Sequence, residues 1–261
     1  MKKSIVVVAR NEKDWPLKTC LDFLENIPDA EIIGVDDGGE NEWPEKGVRI
    51  YKTAGGIGVG RSRLMGIQKA SGDLIMLSDA HVYYYDGNVN KAWNLAAKGY
   101  VVNPSVKVMY GDKVRCGMKF DLGSYKVQYV KGKTGGHVGL IGSVYFMPKS
   151  VAEKIVAPTQ AHGYNEFVMT IAAIALGYKI YALPTLIFEH MYKDSLDYEV
   201  TGLQQERNRQ VLNSFFFRYK LPKDATLEEA GYKRMIERES VLSSLELNKF
   251  INKQNKKLIA I

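Results

Sequence analysis

The sequence predicts an α/β protein with a mostly parallel central sheet flanked by helices, and three observations carry that prediction. Short apolar runs alternate with helical stretches through roughly the first hundred residues. The runs are rich in Val and Ile without polar alternation, as expected of strands buried on both faces. Polar residues gather where the runs end: Arg10 and Asn11 after the first, Asp36 and Asp37 after the second, Asp79 and His81 after the fourth. In open α/β sheets ligands bind beyond the carboxyl ends of the strands, so this gathering also marks a site.

Ser4 to Ala9 reads as the first strand. Asp14 and Pro16 announce a helix that sets Leu17, Leu21 and Leu24 on one face. Glu31 to Gly39 is a second strand ending in two acids and two glycines, and Val48 to Lys52 a third. The glycine-rich AGGIGVGRSR leads into a helix to Ala70, which Gly72 ends. Leu74 to Leu77 form a fourth strand, Val89 to Lys98 a helix around Trp93, and Tyr83, Tyr84 and Tyr85 between them divide between core and rim. After about Gly99 the pieces shorten, with a glycine-rich loop in KGKTGGHVGLIGS. A helix follows from about Asn165 to Leu176, then a strand from about Lys179 to Leu183, then His190; from about Asp194 the chain is polar and helical.

The 261 residues, 46% hydrophobic, suffice for one large α/β domain with an appendage. An excess of 36 Lys and Arg over 29 Asp and Glu gives a net charge of +7, which favours anionic partners such as nucleotides, acidic polymers or a phospholipid surface. Cys20 and Cys116 are far apart and outside any C-x-x-C arrangement, which argues against a disulfide scaffold or structural zinc site and for reduced core thiols. The apolar run after the two N-terminal lysines is far shorter than the ~20 residues of a membrane span, so a cytoplasmic location is expected. Lys249, Lys253, Lys256 and Lys257 make the C-terminus basic; a solvated polar helix is the plain reading and peripheral membrane contact the more specific one.

Strand side chains alternate, so Asp79 and His81 face one way and can offer a carboxylate and an imidazole to one cation. That donor pair suits Mn²⁺ better than Mg²⁺. A helix-capping Asp beside a surface His is the structural alternative. GGIGVGRS, Gly55 to Ser62, is one residue from a nucleoside-triphosphate P-loop, with Arg61 where a Lys should stand. A guanidinium does not replace the compact ammonium of that loop.

VVVARNE, VDDGG, GVGRSRLMGIQKASGDLIMLSDAH, GYNEF and FEH stand in the order and spacing of family 2-like glycosyltransferases of the GT-A fold. The chain resembles the polypeptide N-acetylgalactosaminyltransferases in detail, sharing their Asp-x-His where most relatives carry Asp-x-Asp. The resemblance runs from Ser4 to Tyr192. It implies a catalytic domain over residues 1–193, with a nucleotide-binding half at 1–99 and an acceptor half at 100–193, and a helical extension at 194–261.

The resemblance also implies residue roles. Ala9, Arg10, Asn11 and Asp36 would hold the base and ribose of a nucleotide-diphosphate sugar, expected to be UDP-linked, and Arg61 would approach the phosphates. Asp79, His81 and His190 would bind Mn²⁺, or Mg²⁺, against the diphosphate. Gly142 and Ser143 match the loop beneath the sugar, and Asn165 with Glu166 matches a Glu-Asp pair beside the acceptor. The acceptor would be a glycan, lipid or protein, and no nucleic-acid partner is expected.

The chemistry agrees. A departing nucleoside diphosphate gains negative charge that a divalent cation and an Arg stabilise, while a carboxylate such as Glu166 takes the proton of the acceptor hydroxyl. Asp-x-His is shared with retaining enzymes, but an acidic base beside the acceptor belongs to inversion, toward which the reading leans. A sugar-phosphate nucleotidyltransferase and a catalytically inactive nucleotide-binding module of the same fold are the alternatives. His137 and His162 receive no role.

Overall fold

The computed structural model describes residues 1–121, 126–129, 134, 139–156 and 165–191. His137, His162 and the helical extension at 194–261 lie outside the described residues. The elements are β1 (Lys3–Ala9), α1 (Trp15–Asn26), β2 (Ala30–Asp36), β3 (Val48–Lys52), α2 (Val59–Lys69), β4 (Leu74–Asp79), β5 (Val82–Asp86) and α3 (Val89–Ala97). They continue with β6 (Val101–Val108), β7 (Val114–Arg115), β8 (Met118–Asp121), β9 (Lys126–Tyr129), β10 (Val144–Pro148), α4 (Lys149–Ile155), α5 (Asn165–Ala175) and β11 (Ile180–His190).

The main sheet runs β3-β2-β1-β4-β10-β6-β11-β5, with β7 on β6. It is parallel from β3 to β4, where α1 joins β1 to β2, a loop joins β2 to β3 and α2 joins β3 to β4, and mixed beyond, where β10 runs antiparallel to β4 and β6. Alternation along β1 builds two cores. Val6 and Val8 face Leu64 and Ile67 of α2 and Val151 of α4, while Ile5, Val7 and Ala9 face Cys20 and Phe23 of α1 and Trp93 of α3. Gly66 lets α2 approach the sheet, because a Cβ there would stand 2.3 Å from Val6 Cγ1. Cys20 and Cys116 are buried free thiols, as expected.

Helix α1 buries Pro16, Thr19, Cys20 and Phe23 rather than the expected leucine face, and Leu21 is 50% exposed. Both stripes have helical spacing; the winner carries the small and aromatic side chains that fit against the sheet. Strand β4 continues through Ser78 and Asp79 because β10 pairs with it as far as Ser78 and the Ser143 carbonyl accepts the Asp79 N–H at 3.1 Å. The tyrosines form β5, and β11 reaches His190 across an irregularity between Leu183 and Ile187 that accommodates Pro184. Among the described residues no helix is long and apolar enough to cross a membrane.

Candidate active site

The carboxyl ends of β1, β2 and β4 lie side by side, with Ala9 opposite Asp36 and Val8 opposite Asp79. Here the polar residues singled out in the sequence meet. Val82 stands opposite His190 in the β5–β11 ladder, and the Met191 N–H donates to the His81 carbonyl at 3.1 Å. These contacts close a gap of more than a hundred residues. Ligand atoms of Asp79, His81 and His190 all lie within 4.8 Å of one another, a group that can hold a metal ion. The donor set fits a borderline divalent cation.

Charge is arranged to suit. Burial by itself would raise the Asp79 carboxyl, but the Arg63 guanidinium, with His190 and His81, holds it well below the usual carboxylate range. Burial pushes the His190 imidazole below its ordinary value despite the nearby Asp79, which favours the neutral form that ligation requires. Arg63 Nη2 donates to Asp79 Oδ1 at 2.9 Å, while His190 Nε2 lies 3.8 Å from Asp79 Oδ2. One carboxylate oxygen is thus engaged by Arg63 and the other faces the histidines.

Arg63 is the residue the sequence reading missed. Its side chain is 3% exposed, its second nitrogen Nη1 lies 3.7 Å from Glu166 Oε1, and the guanidinium sits 5.8 Å from the centre of the Tyr145 ring. A signal existed: Arg63 falls at helical spacing with Gly60 and Ile67, on the buried stripe of α2, where a charge demands a partner. Arg61, the expected phosphate contact, is partly buried in the first turn of α2.

Asn165 and Glu166 begin α5, with Glu166 in its first turn, where the helix dipole favours an anion. Gly142 lies directly beneath the Glu166 carboxylate: a Cβ there would come within 2.7 Å of Cδ and Oε1. Ser143 is fully buried and contacts the site through its carbonyl on Asp79.

On the nucleoside side, Ala9 is buried and its carbonyl accepts the Asp37 N–H at 2.8 Å. Asn11 adopts a left-handed φ of 55° and donates its N–H to the Gly38 carbonyl at 3.0 Å. Asp36 Oδ1 accepts from Gly38 N at 3.1 Å and Asn41 Nδ2 at 2.6 Å. Arg10 lies over Gly56, where a Cβ would stand 3.1 Å from Nη2.

Asp37 explains the glycine-rich loop. Its carboxylate accepts from Thr53 Oγ1 at 2.8 Å, Ile57 N at 2.9 Å and Gly58 N at 2.9 Å. A triphosphate P-loop presents such amides to phosphate, whereas here Asp37 occupies them. That disposes of the P-loop reading.

The chain is similar to several solved structures. GalNAc-T7 with UDP, GalNAc and Mn²⁺ superposes with a TM-score of 0.69 at 17% identity over 98% of this chain, which spans 57% of that protein's length. S. aureus TarS 1–349 in complex with UDP-GlcNAc gives a TM-score of 0.58 at 16% identity, covering 90% of this chain and 70% of that one. A second S. aureus TarS structure gives 0.55 at 14% identity over 100% of this chain and 54% of the other. At such identities the likeness concerns the fold, which is that of the GT-A proteins. No curated protein matches the chain. The glycosyl transferase family 2 model matches residues 4–156, which include β1 to β4, the Asp-x-His pair and the Gly142 loop, and more than half the sequence. The chain belongs to glycosyl transferase family 2.

Proposed function

We propose that this protein is a hexosyltransferase-type glycosyltransferase that moves a sugar from a nucleoside-diphosphate donor, UDP-linked, to an acceptor hydroxyl, with Mn²⁺ held by Asp79, His81 and His190. The observation that carries the reading is the buried Arg63, which joins Asp79 of the cation group to Glu166, the candidate base, through one guanidinium. That juxtaposition supports a reading in which donor and acceptor chemistry lie a few ångströms apart. Two of the three solved structures hold UDP or UDP-GlcNAc, and one of them Mn²⁺, which supports the choice of donor and ion.

The bound cation would supply charge neutralisation for the leaving diphosphate. Ala9, Arg10, Asn11 and Asp36 bind the nucleoside, Arg61 approaches the phosphates, and Gly142 with Ser143 forms the floor beneath the sugar. Glu166 takes the proton from the acceptor oxygen as that oxygen attacks the anomeric carbon, which leads to inversion. Asn165 lies beside the acceptor.

The test is thermal. UDP should raise the melting temperature only with Mn²⁺ present, and His81→Ala or His190→Ala should abolish that increment. A panel of nucleotide sugars should then be hydrolysed slowly without acceptor, with release of the nucleoside diphosphate. Pyrophosphate released from a nucleoside triphosphate and a sugar phosphate would instead establish a nucleotidyltransferase, and binding without turnover an inactive module.

A further inference from the structure

Glu12 is a second carboxylate at the cation group, on the loop after β1, and it is 9% exposed. Its Oε2 lies 3.1 Å from His81 Nδ1. The loop is pegged to the segment after β2. The Glu12 N–H donates to Asn41 Oδ1 at 2.8 Å, and the Lys13 N–H to the Glu40 carbonyl at 2.7 Å. Asn41 in turn donates to Asp36 Oδ1 at 2.6 Å and to the Gly38 carbonyl at 3.1 Å. These bonds fix the main chain at Glu12, from which the carboxylate reaches His81.

We propose that Glu12 is a positioning residue for the cation: it accepts the Nδ1–H of neutral His81 and so leaves Nε2 unprotonated, as the nitrogen available to the ion. This inference rests on the metal-dependent reading above. A neutral imidazole carries one proton on two nitrogens, and the hydrogen bond made by one decides which lone pair remains on the other. A carboxylate behind a ligating histidine also restrains the ring and makes it a better donor, and loss of such a partner weakens metal binding by about 10–100-fold. Asp79 is not that partner for His81, because Arg63 and His190 flank its two oxygens.

Two measurements on the full chain at neutral pH test this. Long-range ¹H–¹⁵N correlation of the metal-free protein, with His81 assigned among the four histidines by its loss in His81→Ala, should show the His81 proton on Nδ1. A Mn²⁺ titration followed by electron paramagnetic resonance, without nucleotide, should show affinity about 10–100-fold weaker in Glu12→Ala. Glu12→Gln, whose amide oxygen accepts the same N–H, should recover most of it. A His81 proton on Nε2, an imidazolium, or equal Mn²⁺ affinity in wild type and Glu12→Ala would overturn the inference while leaving the glycosyltransferase reading intact. Wild-type protein that binds no Mn²⁺ would overturn the inference together with the cation site on which it rests. Should Glu12→Ala fail to fold, the wild-type tautomer and the Glu12→Gln titration still decide the matter.

Discussion

Arg63 and Asp79 form a buried ion pair at 2.9 Å, and the same guanidinium lies 3.7 Å from Glu166. Removing one partner of such a pair leaves a charge stranded in low dielectric. Arg63→Ala should therefore lower stability by about 3–5 kcal/mol in denaturant unfolding. Arg63→Lys retains the charge but lacks the fork that spans both carboxylates. It should fold and lose about 100-fold in transfer rate through displaced groups; unchanged kcat in that variant would show that Arg63 only stabilises.

Gly142 leaves room for Glu166. A methyl group there would overlap its carboxylate at 2.7 Å, and the far end of that side chain is what yields. Gly142→Ala is expected to cut kcat by about 100-fold while the melting temperature stays near wild type. Full activity would separate the Gly142 loop from Glu166, the proposed base.

Asp37 is 1% exposed and accepts three hydrogen bonds from the Thr53–Gly58 segment. Asp37→Ala leaves two backbone donors unsatisfied and should cost about 3 kcal/mol. Chemical denaturation of the two proteins checks this, and limited proteolysis of the variant should cut first between Thr53 and Gly58.

Asp22 provides a pH signature remote from the site. Burial pushes its carboxyl up from 3.8 to about 6, against the hydrogen bonds from the Tyr84 N–H and Asn26. The folded state holds this proton more tightly than the unfolded state, so the stabilisation is complete below pH 3.8 and is lost as pH rises through about 6. Asn at this position keeps an oxygen for the Tyr84 N–H, which Asp22 Oδ2 accepts at 2.7 Å. The melting temperature of Asp22→Asn relative to wild type should rise between pH 4 and pH 7, and a constant difference would contradict the shift.

The ends of the parallel strands were legible because their chemistry is local. An apolar run followed by Asp-x-His, or by two acids and two glycines, states in a few residues both a buried strand and the polar floor at its end. The leucine face of α1 misled for the opposite reason. Periodicity names a stripe, but only the surface it meets decides between two stripes of the same period.

The sequence by itself determined the α/β architecture, the strand ends and the residue types able to hold a cation. It did not determine that Val82 would stand opposite His190, that Arg63 would turn inward to two carboxylates, or that Glu12 would reach His81. Those are pairings between segments far apart in the chain. They exist only once β5, β11 and α2 are packed, because hydrogen-bond register and low-dielectric burial are properties of the assembled sheet and of no single stretch of it.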